Sequence, residues 1–426
     1  MTADIPGSTP PEEKAPVAAG ERIGSLDVLR GFAVLGILVM NVQAFSMPDP
    51  AYFNPTVWGD LTGVNLGVWL GSHLVADLKF MAIFSMLFGA GIALMAGRME
   101  ARGARPGRVH YRRMLGLLGF GILHAYGLWT GDILVWYAMT GMLIYPLHRL
   151  QPRTLIICAL VLLLAGTALY GFFQWSLPYW PPEAREGTLA FWAPPPELVQ
   201  HRLEVYRSGW LEQMSLRVPD GLMLHTFVYL IWAFWRIGGL MVLGMGLMKL
   251  GVFSAERSDR FYRVMLAVGL PLGLALTGWG AWQHFAHGFA AEYSMYGGTL
   301  FNYWGSLATA LAWVALVMLV YRSRPTGRFA RLLAPVGRMA FTCYILQTVI
   351  CTTLFFGHGF GLYGQVPRWG QLLVVVAVWS LLVPFASAWL ARFRYGPLEW
   401  LWRRLTYGAH PLARPARPQS VTAVEP

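Results

Sequence analysis

The sequence predicts an all-α integral membrane protein, a bundle of about ten transmembrane helices with both termini in the cytoplasm. Of its 426 residues, 56% are hydrophobic and 13% are charged, whereas a soluble domain has about 25% charged residues. A helix that crosses a bilayer needs about 20 predominantly apolar residues. About ten such stretches can be placed, at 27–47, 68–97, 114–130, 132–148, 154–177, 223–248, 263–284, 301–321, 339–357 and 369–391.

The charge pattern gives the orientation of these stretches. Arginine and lysine concentrate in every second loop and in the C-terminal segment, within 98–113, 149–153, 249–263, 322–338 and 392–404, while the alternate loops carry few. Cytoplasmic loops of membrane proteins are enriched in Lys and Arg, so the pattern predicts an even number of spans and cytoplasmic termini. The same distribution explains the net charge of +12 without a nucleic-acid partner.

The domain organisation follows from the spans. Residues 1–21 and 408–426 are predicted to be disordered cytoplasmic tails, and 22–407 a single transmembrane bundle. One extracytoplasmic loop, 178–222, contains an amphipathic pattern from 197 to 217 formed by Leu198, Leu203, Tyr206, Trp210 and Met214. Two interpretations stay open for this segment, a helix lying on the membrane surface or a lid over an outward-facing cavity. The three cysteines lack metal-ligand spacing, and no metal site is predicted.

The first span carries three polar side chains of interest. Asp27 and Arg30 lie at its cytoplasmic end, three residues apart, which places them on one side of a helix. Asn41 follows Arg30 by eleven residues, so both lie on one stripe of the helix, about 16 Å apart along its axis. Two interpretations stay open: a ligand-binding stripe, or an interfacial arginine and an interhelical hydrogen bond.

The second span carries His73, Asp77 and Lys79. His73 and Asp77 are four residues apart and share a helix face, a spacing that suits a carboxylate orienting an imidazole base. In a continuous helix Lys79 points about 160° away from Asp77. The alternative is that Asp77 and Lys79 pair separately with neighbouring helices.

The third and fourth spans form a short hairpin that holds His124 and Asp132. His124 lies within an apolar helix, and Asp132 follows the turn at Thr130 and Gly131. Buried ionisable groups in a membrane are costly and often functional, so His124 is the best single catalytic candidate. Asp132 either orients its imidazole or satisfies free N–H groups at the start of the fourth span.

Further polar groups lie in the later spans. Arg236, in the sixth span, requires an anion or a wet cavity, and Asp77 or Asp132 would supply a structural ion pair instead. Tyr344 and Gln347 add hydrogen-bonding groups to the ninth span. With Arg30, the cytoplasmic arginines Arg338, Arg112 and Arg113 would hold a phosphate-bearing ligand. The alternative is that these arginines only reflect the enrichment of basic residues in cytoplasmic loops.

Five segments resemble the bacterial YeiB family of multi-pass membrane proteins, also labelled domain of unknown function 418. They are RIGSLDVLRGFAVLGILVMN, KFMAIFSMLFGAG, GDILVWYAMTG, GRMAFTCYILQTVICTTLFF and GPLEWLWRRLTYG, and the similarity runs from Arg22 to Tyr407. The resemblance implies a bacterial inner-membrane location.

The first of these segments also resembles the wider transmembrane acyltransferase superfamily, which includes bacterial sugar O-acetyltransferases and the heparan glucosaminide N-acetyltransferase. That distant similarity implies transfer of an acyl group from cytosolic acyl-CoA to an acceptor across the membrane. The sugar enzymes carry an arginine, matched by Arg30, and a histidine eleven residues later, where this chain has Asn41. The departure moves the catalytic role to His124 or His73.

Three functional hypotheses follow. In the leading one, a membrane acyltransferase, Arg30 with Asp27, Arg338, Arg112 and Arg113 holds acyl-CoA (acetyl-CoA), a co-substrate rather than a tightly bound cofactor. His124 is general base or acyl carrier, Asp132 or Asp77 orients the imidazole, and Asn41 donates to the oxyanion. The acceptor is a small molecule or glycan outside the cytoplasm, the other partner is membrane lipid, and substrate contacts come from Lys79, Arg236, Tyr344 and Gln347.

The second hypothesis is a transporter of a small anionic or amphiphilic molecule, with Arg236 and Lys79 as its charges. The third is a non-catalytic scaffold.

Overall fold

Helices make up the protein's regular structure throughout residues 23–408, which are the residues that the computed structural model describes. Both predicted tails, residues 1–21 and 408–426, lie outside the described residues, apart from Gly408. In the first half of the chain the helices are α1 (Gly24–Ser46), α2 (Pro50–Phe53), α3 (Gly63–Val75), α4 (Lys79–Ala101), α5 (Pro106–Gly127), α6 (Leu134–Ile144), α7 (Pro152–Ser176), α8 (Pro182–Trp192) and α9 (Pro196–Arg207). In the second half they are α10 (Met214–Met223), α11 (Phe234–Lys249), α12 (Asp259–Ala286), α13 (Ala291–Tyr293), α14 (Thr299–Ser323), α15 (Arg328–Arg338), α16 (Ala340–Phe355), α17 (Arg368–Arg392) and α18 (Pro397–Tyr407).

The all-α, multi-pass architecture is confirmed. Within residues 23–408, seven helical segments are long and apolar enough to cross a membrane, or eight if the bent pair α15–α16 is one span. These eight correspond to eight of the predicted spans. The other two are α5, which has three arginines in its first two turns, and α6, which has 11 residues before a short 3-10 turn. That α5 and α6 also cross the membrane stays a prediction.

The second predicted span, 68–97, is interrupted. Helix α3 ends at Val75, α4 begins at Lys79, and Leu78 between them has a left-handed backbone with φ of 62°. A left-handed residue cannot continue a right-handed helix. The rotation of 100° per residue therefore does not hold across the break, and the prediction that Lys79 points about 160° away from Asp77 is wrong.

Two pairs of glycines bring backbones into direct contact in the core. A Cβ on Gly337 of α15 would overlap the carbonyl oxygen of Asp27 on α1, and one on Gly31 would overlap that of Leu333. Gly89 of α4 and Gly244 of α11 face each other's helix backbone in the same way. Close approach of small residues is the usual basis of helix association in a membrane, so α1–α15 and α4–α11 are fixed contacts of the bundle.

The last helix docks on a sharp bend at the cytoplasmic side. Helices α15 and α16 meet at 81°, which leaves the first N–H groups of α16 without partners inside their own helix. Glu399 of α18 accepts hydrogen bonds from the N–H groups of Phe341 and Thr342 at 2.8 and 3.0 Å, and from the Thr342 hydroxyl at 2.6 Å. A carboxylate is favourable at a helix N-terminus, so Glu399 stabilises the bend.

The 178–222 loop, predicted to be extracytoplasmic, packs on the ends of α1 and α5. The amphipathic pattern predicted one helix from 197 to 217, but the structure has α9 and α10 with a turn between them. The buried face of α9 consists of Val199, Leu203 and Tyr206, while Leu198 is 52% exposed. The carbonyl of Tyr206 accepts a hydrogen bond from the N–H of Gly357 at 2.8 Å, so this face of α9 packs on the protein.

Arg202 of α9 links the 178–222 loop to the rest of the bundle through ion pairs. Its guanidinium lies 3.0 Å from Asp49, just beyond α1, and 2.8 Å from Asp220 on α10. Burial raises the pKa of Asp49 to about 6, with Arg202 opposing and Asp220 adding to the rise. An aspartate in an unfolded chain titrates near 3.9.

This shift predicts a pH dependence of stability. The folded state binds a proton on Asp49 more tightly than the unfolded state, so the stability associated with this group falls as the pH rises from about 4 to about 6. Because the Asp49 side chain is 34% exposed, water screens the effect, and we expect about 1 kcal/mol. Melting curves of wild type and Asp49→Asn from pH 4 to 8 check this. The wild type should lose stability relative to the variant over that window; parallel curves would contradict it.

Candidate functional site

His124 is held on both sides of its imidazole ring by buried polar side chains. It lies one turn before the outer end of α5. Its Nδ1 is 2.7 Å from Oδ1 of Asp132, and its Nε2 is 2.9 Å from Oγ1 of Thr348 on α16. All three residues are at most 2% exposed. A hydroxyl, an imidazole and a carboxylate thus form one chain of hydrogen bonds.

The local structure explains how Asp132 reaches the histidine. The carbonyl of His124 accepts the N–H groups of Leu128 and Trp129, which ends α5 and turns the chain back. Asp132 then precedes α6, where its Oδ2 accepts the N–H of Val135 at 2.7 Å. The two roles that the sequence left open for Asp132 are therefore filled by its two different oxygens.

The partners fix the proton positions on the ring. An ionised carboxylate only accepts hydrogen bonds, so Nδ1 carries the proton toward Asp132. The lone pair of Nε2 then faces Thr348, whose one hydroxyl proton has two acceptors in reach, this nitrogen at 2.9 Å and the carbonyl of Tyr344 at 3.5 Å. This order of hydroxyl, base and orienting carboxylate is the geometry by which proteins activate a weak nucleophile.

Two aromatic rings and the 178–222 loop lie close to the group formed by His124, Asp132 and Thr348. The Tyr344 ring centroid is 5.2 Å from that of His124, and the Trp129 centroid is 6.3 Å away. Trp210 and Arg217, from the turn after α9 and from α10, donate to the carbonyl of Gly127 at 2.7 and 3.2 Å. The segment therefore contacts the end of α5, one turn beyond His124. That it acts as a lid over a cavity stays a prediction.

A hydrogen bond from Gln347 links the His124 group to the first span. Its Nε2 donates to the carbonyl of Val34 on α1 at 3.1 Å, and Thr348 is the next residue. Val34 lies four residues, or about 6 Å of helix rise, beyond Arg30. Arg30 and Val34 thus lie on the same side of α1, Arg30 against Gly337 of α15 and Val34 against Gln347 of α16.

The predicted cytoplasmic arginines fall into two pairs held by different elements. Arg30 contacts Asp27 at 3.2 Å, as its spacing predicted, and its Nη1 is 3.5 Å from the carbonyl of Gly337 next to Arg338. Arg338 in turn donates to the carbonyl of Arg394 at 3.4 Å. The second pair contacts α18, with Arg112 donating to the carbonyl of Leu405 and Arg113 stacking over the ring of Trp402.

Asn41 is half-buried on α1. The two ring nitrogens of His124 are engaged by Asp132 and Thr348, so Asn41 is not a hydrogen-bond partner of this histidine here. Its assignment as an oxyanion donor stays a prediction.

His73 and Asp77 belong to a second polar cluster. His73 Nδ1 is 3.0 Å from Asp77 Oδ2, which also accepts the Asn302 amide at 2.7 Å. Lys79 donates to the Asn302 carbonyl oxygen at 2.7 Å and to the backbone carbonyl of His73 at 2.6 Å. Asn302 therefore bridges Asp77 and Lys79 across the break after α3. Four of the five predicted catalytic residues thus divide between two clusters, and Asn41 belongs to neither.

Arg236 extends this second cluster deeper into the bundle. Its Nη2 donates to Ser306 Oγ at 2.7 Å, and its guanidinium lies 4.4 Å from the Tyr303 ring centroid. Within residues 23–408 it forms no ion pair with Asp77 or Asp132, whose paired partners are His73 and His124. The structural ion pairs considered for Arg236 are therefore absent.

Several residues of these clusters were not singled out from the sequence. Thr348, Asn302 and Ser306 are polar side chains within apolar spans. Their position inside those spans was the one signal in the sequence that could have identified them. Arg368, which belongs to neither cluster, was not singled out either. Its signal in the sequence was that it is a lone arginine in a loop predicted to be extracytoplasmic. It is 2% exposed, and it donates to Gln43 Oε1 at 2.8 Å and to the carbonyls of Pro55 and Trp58.

The groups suited to metals are dispersed. In the part of the chain that the structure describes, no three His, Cys, Asp or Glu side chains are placed to hold a metal ion. Cys158, Cys343 and Cys351 are unpaired thiols, the latter two buried.

Comparison with known proteins gives consistent matches along the chain. A family model described as a protein of unknown function (DUF418) matches residues 247–409. The chain is 32% identical over 402 residues to the uncharacterized protein YeiB of Escherichia coli strain K12, covering 91% of this chain and 97% of that protein. It is 29% identical over 410 residues to the uncharacterized protein YxaH of Bacillus subtilis strain 168, covering 92% and 96%.

Proposed function

Since the chain belongs to the YeiB-like DUF418 family of multi-pass helical membrane proteins, we propose that it is an acyltransferase of the bacterial inner membrane. The acyl group comes from cytosolic acyl-CoA and goes to a hydroxyl or amine acceptor on the extracytoplasmic side. The single observation that carries the proposal is the hydrogen-bonded chain of Thr348, His124 and Asp132 in the outer half of the bundle.

The chemistry runs in two displacements. The Thr348 hydroxyl attacks the thioester carbonyl while His124 Nε2 takes its proton, and Asp132 stabilises the imidazolium. The carbon–sulfur bond breaks, and the CoA thiolate takes the proton from His124, which leaves CoA thiol and an acyl ester on Thr348. The acceptor hydroxyl or amine then attacks this ester, its proton passing through His124 to the Thr348 oxygen. Each step balances without a further reactant.

The donor would approach along the seam between α1 and α16. Arg30 is 31% exposed in its side chain, which leaves it accessible to phosphates at the cytoplasmic face. Arg338 lies next to Gly337, the residue whose carbonyl Arg30 contacts. Arginine pairs recognise phosphate groups well. From there the extended arm of a CoA thioester points along α1 toward Gln347 and Thr348.

Donor binding can be tested by thermal unfolding of the purified protein with acetyl-CoA, CoA or ATP. At a hundredfold excess over its Kd, a ligand of the native state raises the melting temperature by about 2–4 °C. We expect this shift for acetyl-CoA and CoA, its loss in Arg30→Ala, and its retention in Arg153→Ala, which removes an exposed arginine from the cytoplasmic end of α7. An equal shift with ATP, or no shift at millimolar acetyl-CoA, would contradict a CoA site at Arg30.

A further inference from the structure

The second polar cluster buries more basic than acidic side chains. Lys79 and Arg236 are both 0% exposed, and each donates to side-chain or backbone oxygens of neutral groups. Asp77 is the carboxylate of this cluster, and it is engaged by His73 and Asn302. The cluster thus brings two buried basic side chains, Lys79 and Arg236, together with the carboxylate of Asp77.

Arg236 also has unused hydrogen-bonding capacity. Its Nε and Nη1 are buried without a hydrogen-bond partner among residues 23–408. One of its faces is covered by the Tyr303 ring, and Ser306 accepts from Nη2 alone. A buried guanidinium normally has its donors satisfied, so the two free nitrogens point to a group that residues 23–408 do not supply.

One helix links the two cations. Asn302 contacts Lys79, and Ser306, one helical turn further along α14, contacts Arg236. The cluster reaches the surface through His73 and Asp77, whose side chains are 13% and 15% exposed. His73 and Asp77 lie toward the outer end of the second span and Arg236 lies deeper, so the cluster opens to the extracytoplasmic side.

From these contacts we propose that Arg236, Ser306 and Lys79 form a binding site for a small monovalent carboxylate that enters from outside past His73. A carboxylate carries the negative charge that the two basic side chains favour, and its oxygens accept from the free nitrogens of Arg236. Lys79, which uses two of its three donors on protein oxygens, supplies one more. The site shares no residue with the His124 group and stands whether or not the chain transfers acyl groups.

Equilibrium binding of radiolabelled acetate to the purified full-length protein tests this site. We expect saturable binding of about one acetate per chain, competed by unlabelled acetate but not by equal concentrations of chloride or sulfate. Arg236→Met should weaken binding at least about tenfold, which corresponds to 1.4 kcal/mol. Ser306→Ala, which keeps both charges, should weaken it less.

Arg368→Met is the matched control, because Arg368 is equally buried but donates to an amide and two carbonyls elsewhere. It should bind acetate as the wild type does. A stability readout separates a ligand site from a structural arginine: without acetate, Arg236→Met should melt at or above the wild-type temperature, since it removes a buried charge. Absence of saturable binding in folded wild type, equal binding in Arg236→Met, or equal competition by sulfate would overturn the proposal.

Discussion

His124→Gln is expected to lower the rate of acyl transfer by about 10²- to 10⁴-fold, which is the usual contribution of a positioned general base. Glutamine keeps a hydrogen-bonding side chain between Asp132 and Thr348, so the fold should survive, but an amide cannot take up the proton. Release of CoA thiol from acetyl-CoA, followed with a thiol reagent, measures the rate.

Three further variants test this prediction. His110→Gln is the matched control, because His110 is also fully buried on α5, where its Nε2 contacts the carbonyl of Gly141; its rate should stay close to wild type. Thr348→Val should lose activity as His124→Gln does, whereas Thr348→Ser should retain it. If Thr348→Val transferred acyl groups normally, the threonine would be a mere hydrogen-bond partner and the two-step route would fail.

Gly337→Ala is expected to reduce the free energy of unfolding by about 3 kcal/mol, at the upper end of the usual cost of overpacking. The added Cβ meets backbone atoms of α1, the Asp27 carbonyl and the Gly31 N–H, and backbone cannot move aside as a flexible side chain would. The two helices must separate, which also displaces Arg30 from the Gly337 carbonyl. The melting temperature in detergent and the acetyl-CoA shift should both decrease.

The same substitution at Gly97 provides the comparison. Gly97 lies near the cytoplasmic end of α4, and a Cβ there meets nothing within 4 Å. Alanine favours helix over glycine by about 1 kcal/mol, so Gly97→Ala should be neutral or slightly stabilising. Equal melting temperatures for the Gly337 and Gly97 variants would show that α1 and α15 are not in tight contact.

Local contacts were predictable from the sequence because helical geometry alone determines them. Asp27 and Arg30, three residues apart, and His73 and Asp77, four apart, do pair. The hairpin between α5 and α6 is short, so it also brought Asp132 to His124. In each case the separation along the chain is small enough that no knowledge of the bundle's packing is needed.

Contacts between distant spans were not predictable in this way. Thr348 is 224 residues from His124, and Asn302 is 223 residues from Lys79; no spacing rule relates such positions. The break at Leu78 was not predicted because the residues around it, from His73 to Lys79, include neither proline nor glycine. On α9 the pattern placed Leu203 and Tyr206 correctly on the buried face but took Leu198 for Val199, because the packing partner, the loop after α16, lies far along the chain.

The most direct test of the account is to look for the acyl group on the protein itself. Purified protein in lipid nanodiscs would be incubated with acetyl-CoA without acceptor, then digested and analysed by peptide mass spectrometry. We expect an ester-linked acetyl group on Thr348 in the wild type, and none in His124→Gln or Thr348→Val. An unlabelled Thr348 in wild-type protein that nevertheless binds acetyl-CoA would contradict the proposed acyl transfer through the His124 group.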